Sequence, residues 1–141
     1  MATPAGEICL GGFVSANLKK GLMKGYGIYI TNRRIIGVKK RKLALPSMLL
    51  GGVAAWAMEK MTESERARLV EELDRDKDFE IYKEDVQAIE LKKPSLLRRG
   101  HLRITSTSGE ETKIMILNKK AFEALREMMS IFKPEALTVI E

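Results

Sequence analysis

The chain has 141 residues, of which 45% are hydrophobic and 31% are charged. This size and composition are typical of one folded domain and exclude a multidomain enzyme, a disordered chain and a disulfide scaffold. Cys9 is the single cysteine, so an intrachain disulfide is also excluded, and the formal net charge is +6. The length predicts one domain over residues 1–141. The N-terminal residues lack the basic and apolar pattern of a signal peptide, so we expect the protein in the cytoplasm.

Three strands are predicted in the first part of the chain, at residues 7–18, 26–31 and 34–38. In the second of them, Tyr26, Ile28 and Ile30 alternate with other residues and therefore share one face. Asn32 and Arg33 then form a tight turn, so the second and third strands are predicted to form a hairpin.

Four further runs have the same alternation, at residues 79–82, 86–91, 101–105 and 112–117. Ser108 and Gly109 supply the turn of the last hairpin. The sequence therefore predicts about seven strands.

A helical insertion is predicted between the third and fourth strands, at residues 43–77. Its first part, residues 43–58, contains no charged side chain. Thr62 and Glu65 have the spacing of a capping box, which predicts a helix that runs to about Leu73.

A second helix is predicted near the C-terminus. Asn118 is a good N-cap, and Lys133 followed by Pro134 ends the helix. Four apolar residues at spacings of three and four lie on one face between these limits: Phe122, Leu125, Met129 and Phe132. Strands followed by one closing helix, without alternation of strands and helices, favour a small antiparallel sandwich or barrel plugged by that helix.

Several segments of the chain carry motifs of a known family. The sequence GYGIYITNRRII at residues 25–36 resembles the G-x-L-Y-x-T-N-x-R-L-I hairpin of the prokaryotic pleckstrin-homology-like and GRAM-like domains. The sequence DFEIYKEDVQAI at residues 78–89 is similar to their F-x-I-P-L-x-D-I-x-x-I strand and turn. Residues 100–109 and 114–132 look like their closing hairpin and capping helix.

The resemblance implies a fold and a class of function. The fold is a mainly β, pleckstrin-homology-like antiparallel sandwich or partly open barrel of about seven strands, capped by a C-terminal helix and interrupted here by the insertion. The resemblance also implies that the domain has no catalytic residues and serves as a docking platform for lipid headgroups, peptides or other protomers.

Two groups of basic residues are the candidate anion-binding site, and we expect them to meet on one edge of the sandwich. They are Lys39, Lys40, Arg41 and Lys42 in the first group, and Lys92, Lys93, Arg98 and Arg99 in the second. The competing interpretation is that these are solvated strand ends paired with the acidic helix.

A specific inositol-phosphate site is disfavoured. The phosphoinositide-binding domains of this fold carry a Lys-x(n)-Lys/Arg-x-Arg motif between their first two strands. The nearest residues here are Lys19, Lys20 and Lys24 with Arg33 and Arg34, and the end of the motif is missing.

The uncharged run at residues 43–58 supplies the candidate interface residues Leu49, Leu50, Val53 and Trp56. As a helix the run would span roughly 24 Å, which is shorter than the ~30 Å hydrocarbon core of a bilayer. We favour packing on the sandwich or against another copy of the chain over a position in the headgroup layer.

The remaining function classes have less support. A nucleic-acid-binding platform requires aromatic residues interleaved with basic ones, and the sequence has no such pattern. His101 and Cys9 are single residues of their type, so neither a metal site nor a nucleophile is predicted, and no cofactor or small-molecule substrate is expected.

The sequence thus predicts a non-catalytic binding or scaffolding module that docks on an anionic partner, such as a membrane surface or a protein. Its location would be the cytoplasm, or the periphery of the inner face of the membrane. The alternative is a structural homo-oligomer assembled through the apolar insertion.

Overall fold

The computed structural model describes residues 6–39 and 62–141. These residues form a mainly β structure with two α-helices, as the sequence predicts. The strands are β1 (Cys9–Lys20), β2 (Met23–Thr31), β3 (Arg34–Lys39), β4 (Lys77–Tyr82), β5 (Val86–Lys92), β6 (Gly100–Ser106), β7 (Glu111–Ile116) and β8 (Leu137–Ile140). The helices are α1 (Glu63–Asp76), between β3 and β4, and α2 (Lys119–Phe132), between β7 and β8.

The strands form one mixed sheet in the order β4-β3-β2-β1-β7-β6-β5-β8. The sheet has an N-terminal half, β4-β3-β2-β1, and a C-terminal half, β7-β6-β5-β8. Within the described residues, strand pairing between the halves occurs only near the end of β1, where Leu18 and Lys19 pair with Ile116 and Met115 of β7. The sheet does not close into a barrel, and its edges in the described part of the chain are β4 and β8.

The strand β8 corrects the prediction of about seven strands that are all antiparallel. A short 3-10 turn at Pro134–Ala136 follows α2, and the chain then runs parallel to β5, with Ile89 opposite Leu137. The new strand has four residues, too few for a clear period-two signal. Leu137 and Val139 nevertheless pack against the core, which explains why this segment is a strand.

The main core lies between the two halves of the sheet and α2. Tyr26, Ile28 and Ile30 of β2 contribute to it from a shared face, as predicted. The predicted apolar stripe of α2 is also buried there: Phe122, Leu125, Met129 and Phe132. The Asn118 side chain caps the helix by accepting a hydrogen bond of 2.9 Å from the backbone N–H of Ala121.

Helix α1 covers the outer face of the N-terminal half. Leu69, Val70 and Leu73 of α1 are buried there with Tyr29 and Ile36 in a second apolar cluster. The predicted capping box is present at the start of the helix, where Thr62 and Glu65 exchange hydrogen bonds. The N-terminal half is therefore buried on both faces.

One glycine makes this second cluster possible. A Cβ atom at Gly12 would lie 2.2 Å from the ring of Tyr29, a distance that no side chain tolerates. The ring of Tyr29 therefore lies directly against the backbone of β1, which allows α1 to pack closely above it.

The burial of the α2 stripe can be tested by mutation. Leu125→Ala should lower the free energy of unfolding by about 2–5 kcal/mol, because it removes buried methyl groups and leaves a cavity. Ile131→Ala is the control on the same helix, where the side chain is 46% exposed, and should change stability by less than about 0.5 kcal/mol. Urea unfolding measures both values, and equal effects would contradict the placement of the stripe.

Candidate docking site

The basic residue Arg34, at the start of β3, is part of the structural framework. Its side chain is 2% exposed, and Nε lies 2.9 Å from Oε2 of Glu7. Nη1 lies 2.8 Å from Oδ1 of Asp74 and 2.6 Å from Oε1 of Glu80. Lys77 Nζ contacts the same two carboxylates at 2.9 and 2.6 Å. Arg34 is thus unavailable to an external anion.

These contacts connect four parts of the chain. Glu7 precedes β1, Asp74 is in the last turns of α1, and Lys77 and Glu80 belong to β4. Burial alone would raise the pKa of Asp74 and Glu80, but hydrogen bonds from Lys77 and Arg34 outweigh it and hold both pKa values below their ordinary range. Both carboxylates therefore remain charged at neutral pH and hold the C-terminal end of α1 against the sheet.

A second cluster surrounds the carboxylate of Asp78, at the start of β4. Lys20 Nζ lies 2.8 Å from Oδ2 and Lys39 Nζ lies 3.9 Å from Oδ1. The hydroxyl of Tyr26 donates a hydrogen bond to Oδ2. The Lys20 ammonium also lies 5.2 Å from the centre of the Phe79 ring, which adds a cation–π contact. We call Lys20, Tyr26, Lys39 and Asp78 the Asp78 cluster.

A third cluster lies on the outer face of the C-terminal half. His101 Nε2 is 2.6 Å from Oε2 of Glu90, and Arg103 Nη2 is 2.9 Å from both oxygens of the same carboxylate. The hydrogen bond from His101 is the main reason that the pKa of Glu90 is lowered. The single histidine is therefore held by a cross-strand hydrogen bond between β5 and β6. No group of metal-ligating side chains is found in the described residues.

The loop that joins β5 to β6, residues 93–99, has a different character. Leu96 and Leu97 at its tip have relative exposures of 104% and 95%. The turn is closed by two hydrogen bonds between Ser95 and Arg98, from the Ser95 N–H to the Arg98 carbonyl (2.8 Å) and from the Arg98 N–H to Oγ of Ser95 (3.1 Å). We call residues 92–99 the β5–β6 loop, because Lys92 at the end of β5 belongs to the same basic group.

The base of the β5–β6 loop is fixed to the sheet. The backbone N–H of Lys93 donates to the carbonyl of Ile140 at the end of β8, over 2.8 Å. The chain enters β6 at Gly100, close to the backbone of β5. Only glycine fits there, since a Cβ atom would lie 2.2 Å from the carbonyl oxygen of Lys92. A narrow base therefore carries the two exposed leucines away from the core.

Four basic residues flank the two leucines in the sequence: Lys92, Lys93, Arg98 and Arg99. Lys93 Nζ is 4.0 Å from a carboxylate oxygen of Glu141. The other three cations form no ion pair with any residue in 6–39 or 62–141. An open cleft of about 380 Å³ separates the loop from Leu117.

The structure separates the predicted site residues into two places. The second basic group lies together in the β5–β6 loop, whereas Lys39 is on β3, with four strands between β3 and β5 in the sheet order. Lys39 is also paired with Asp78. A common edge that includes Lys39 stays a prediction.

The basic residues Lys40, Arg41 and Lys42 and the candidate interface residues Leu49, Leu50, Val53 and Trp56 lie outside the described residues. Assembly through the apolar insertion stays a prediction.

Sequence reasoning missed the leucine pair at the tip of the loop. The signal was present in the segment KKPSLLRR, residues 92–99. Pro94 and Ser95 disfavour a continuing strand, and two adjacent leucines between pairs of charges cannot both face a core from a tight loop. Exposed apolar residues of this kind are characteristic of an interaction site when they lie together.

Comparison with protein-family models finds no matching family, and no curated protein matches the sequence. In the part of the chain that the structure describes, no helix combines the length and apolar character needed to cross a bilayer.

The structural role of Arg34 gives a prediction. Arg34→Ala should lower the free energy of unfolding by about 3–5 kcal/mol, because it leaves the buried carboxylate of Glu7 without its cation. Arg68→Ala is the control, since Arg68 is exposed on α1 and its loss should cost less than about 0.5 kcal/mol. Chemical denaturation measures both variants, and an Arg34 variant as stable as the parent would show that this network does not hold the fold together.

Proposed function

We propose that this chain is a non-catalytic docking module of the pleckstrin-homology-like type, which attaches to an anionic membrane surface through the β5–β6 loop. The family assignment is supported by the hairpin motif at residues 25–36 and by a helix that follows β7 and packs over the core. The position of α1 between β3 and β4 agrees with an insertion in that scaffold.

The observation that carries the docking proposal is the pair Leu96 and Leu97, which are fully exposed between two pairs of cations. An exposed leucine pair stabilises nothing within the chain. Transfer of one leucine side chain from water to an apolar phase is worth about 1.5–3 kcal/mol. Each basic residue near an acidic bilayer adds about 1 kcal/mol.

These contributions are large enough for reversible attachment. Two leucines and four cations together contribute about 7–10 kcal/mol, and after the several kcal/mol that immobilising a protein at a surface costs, the attachment is weak and reversible. The lysine and arginine side chains are long enough to keep their charges at the phosphate level while the leucines enter the acyl region. The loop thus has both signals that a peripheral membrane protein needs.

The shape of the loop favours a bilayer over a protein partner. Leu96 and Leu97 project from a narrow base that is held by Lys93 and Gly100. A protein partner would need a pocket that matches this tip, whereas a fluid bilayer accommodates it without a preformed site. The flanking cations are complementary to an acidic lipid surface on both sides of the tip.

The leucine contribution is tested by co-sedimentation with vesicles of phosphatidylcholine, with and without phosphatidylglycerol. The parent chain should bind the acidic vesicles, and the double variant Leu96→Ser with Leu97→Ser should bind at least about tenfold more weakly. Leu22→Ser is the matched control, because Leu22 is 97% exposed in the turn between β1 and β2. Equal losses in both variants would contradict the assignment of docking to the β5–β6 loop.

The charge contribution is tested with a second pair of variants. Arg98→Gln with Arg99→Gln should weaken binding to acidic vesicles and reduce its dependence on salt. Arg68→Gln with Arg75→Gln removes the same charge from exposed positions of α1 and should have a much smaller effect. A parent chain that ignores acidic vesicles at low salt and elutes as a fixed multiple of its monomer mass would refute membrane docking and support the homo-oligomer.

A further inference from the structure

Several pairs of basic side chains in the described residues lie close together with a carboxylate of the chain between them. Three such groups are present: Arg34 and Lys77 with Asp74 and Glu80, Lys20 and Lys39 with Asp78, and Lys93 and Arg126 with Glu141; the carboxylate of Glu90 is likewise held by Arg103 and His101. A phosphate bound at any of these places would have to displace that carboxylate. Each group is therefore closed to an external anion in the folded chain.

In the Asp78 cluster, the carboxylate of Asp78 occupies the position that a bound anion would take. Lys20 and the hydroxyl of Tyr26 contact one carboxylate oxygen, and Lys39 contacts the other. The three donors come from β1, β2 and β3, so the sheet itself fixes their arrangement. Convergent donors that are held in place are the feature that lets a site select one phosphate group over another.

The cations of the β5–β6 loop lack such an arrangement. Arg98 and Arg99 are exposed side chains, and no described side chain orients their guanidinium groups. Lys92 is likewise without an ionic partner in the described ranges. These groups respond to the summed negative potential of a surface, which depends on charge density and not on headgroup shape.

We infer that the loop attaches to acidic bilayers according to their charge density and without preference for a particular headgroup, because the cations of the loop are not held in a fixed arrangement and Asp78 occupies the anion position between Lys20 and Lys39. This inference rests on the proposed membrane docking and specifies its ligand class: bulk anionic phospholipid. It also assigns Asp78 the role of an internal anion.

The ionisation of Asp78 supports this role. Burial alone would raise the pKa of Asp78, but the hydrogen bonds from Lys20 and Tyr26 and the charges of Lys20 and Lys39 outweigh burial and hold the pKa below its ordinary value. The carboxylate is therefore charged at neutral pH and keeps its position between the two lysines.

The ligand class is tested with vesicles matched for surface potential. One set contains phosphatidylglycerol, another phosphatidylserine, and a third a smaller fraction of a phosphatidylinositol phosphate. The parent chain should bind all three with affinities within about threefold of one another. A preference of about tenfold or more for one headgroup at equal potential would overturn the inference.

The role of Asp78 is tested in solution with pyrophosphate as the probe. Asp78→Asn keeps the size of the side chain and removes its charge, so calorimetry should detect saturable pyrophosphate binding that the parent lacks. Adding Lys20→Gln to this variant should abolish the binding. The control Asp85→Asn makes the same charge change at an exposed carboxylate and should gain nothing.

The outcomes separate this inference from the proposed function. Failure to bind any acidic vesicle would refute membrane docking, whereas strong headgroup selectivity would refute only the inference. A folded Asp78→Asn variant that binds pyrophosphate no better than the Asp85→Asn control would refute the role of Asp78. Circular dichroism of each variant establishes that it is folded.

Discussion

The structure depends on one packing constraint: the two halves of the open sheet are joined by few backbone contacts, and the apolar face of α2 fills the space between them. Only the end of β1 pairs with β7, at Leu18 and Lys19. The buried residues of α2, including Phe122 and Leu125, lie in one core with side chains from both halves. Burial of this helix therefore holds the C-terminal half, and with it the β5–β6 loop, in a fixed position relative to the rest of the chain.

The distribution of charge follows from the same architecture. The N-terminal half is covered on its outer face by α1, whose end is tied to the sheet through Asp74 and Arg34. Two of its cations, Lys20 and Lys39, are paired with the internal carboxylate of Asp78. Lys92, Arg98 and Arg99 have no ion pair in the described residues and lie in a loop that also exposes two leucines. The β5–β6 loop can therefore present a basic and apolar tip although the net charge of the chain is modest.

Most of the regular structure could be predicted from the sequence, because period-two alternation and helix capping are local signals. The strands before α2 and the stripe of α2 are examples, since their buried residues recur at fixed spacings. The strand β8 could not be predicted, because its four residues are extended only through their pairing with β5, which no local pattern indicates. The ion pairs of Arg34 could not be predicted either, because the carboxylates of Glu7, Asp74 and Glu80 lie 27, 40 and 46 residues away from it in the sequence.

The candidate site was predictable only in part. The basic residues at 92–99 could be identified from the sequence alone, and the exposure of Leu96 and Leu97 is indicated only by their position between pairs of charges after Pro94 and Ser95. The pairing of Lys39 with Asp78 depends on contacts between residues far apart in the sequence, which alternation does not encode. Local patterns thus predict elements, while long-range pairing decides which charges remain available.

The most direct test of membrane docking is the depth of the loop tip in a bilayer. Cys9 is completely buried, and burial raises the pKa of its thiol to about 12, so a cysteine introduced by Leu96→Cys can carry a nitroxide label alone. With phosphatidylglycerol vesicles, the label should become protected from a water-soluble relaxation agent and accessible to oxygen in the acyl region. A label that stays fully accessible to the aqueous agent while the protein is bound would contradict the account.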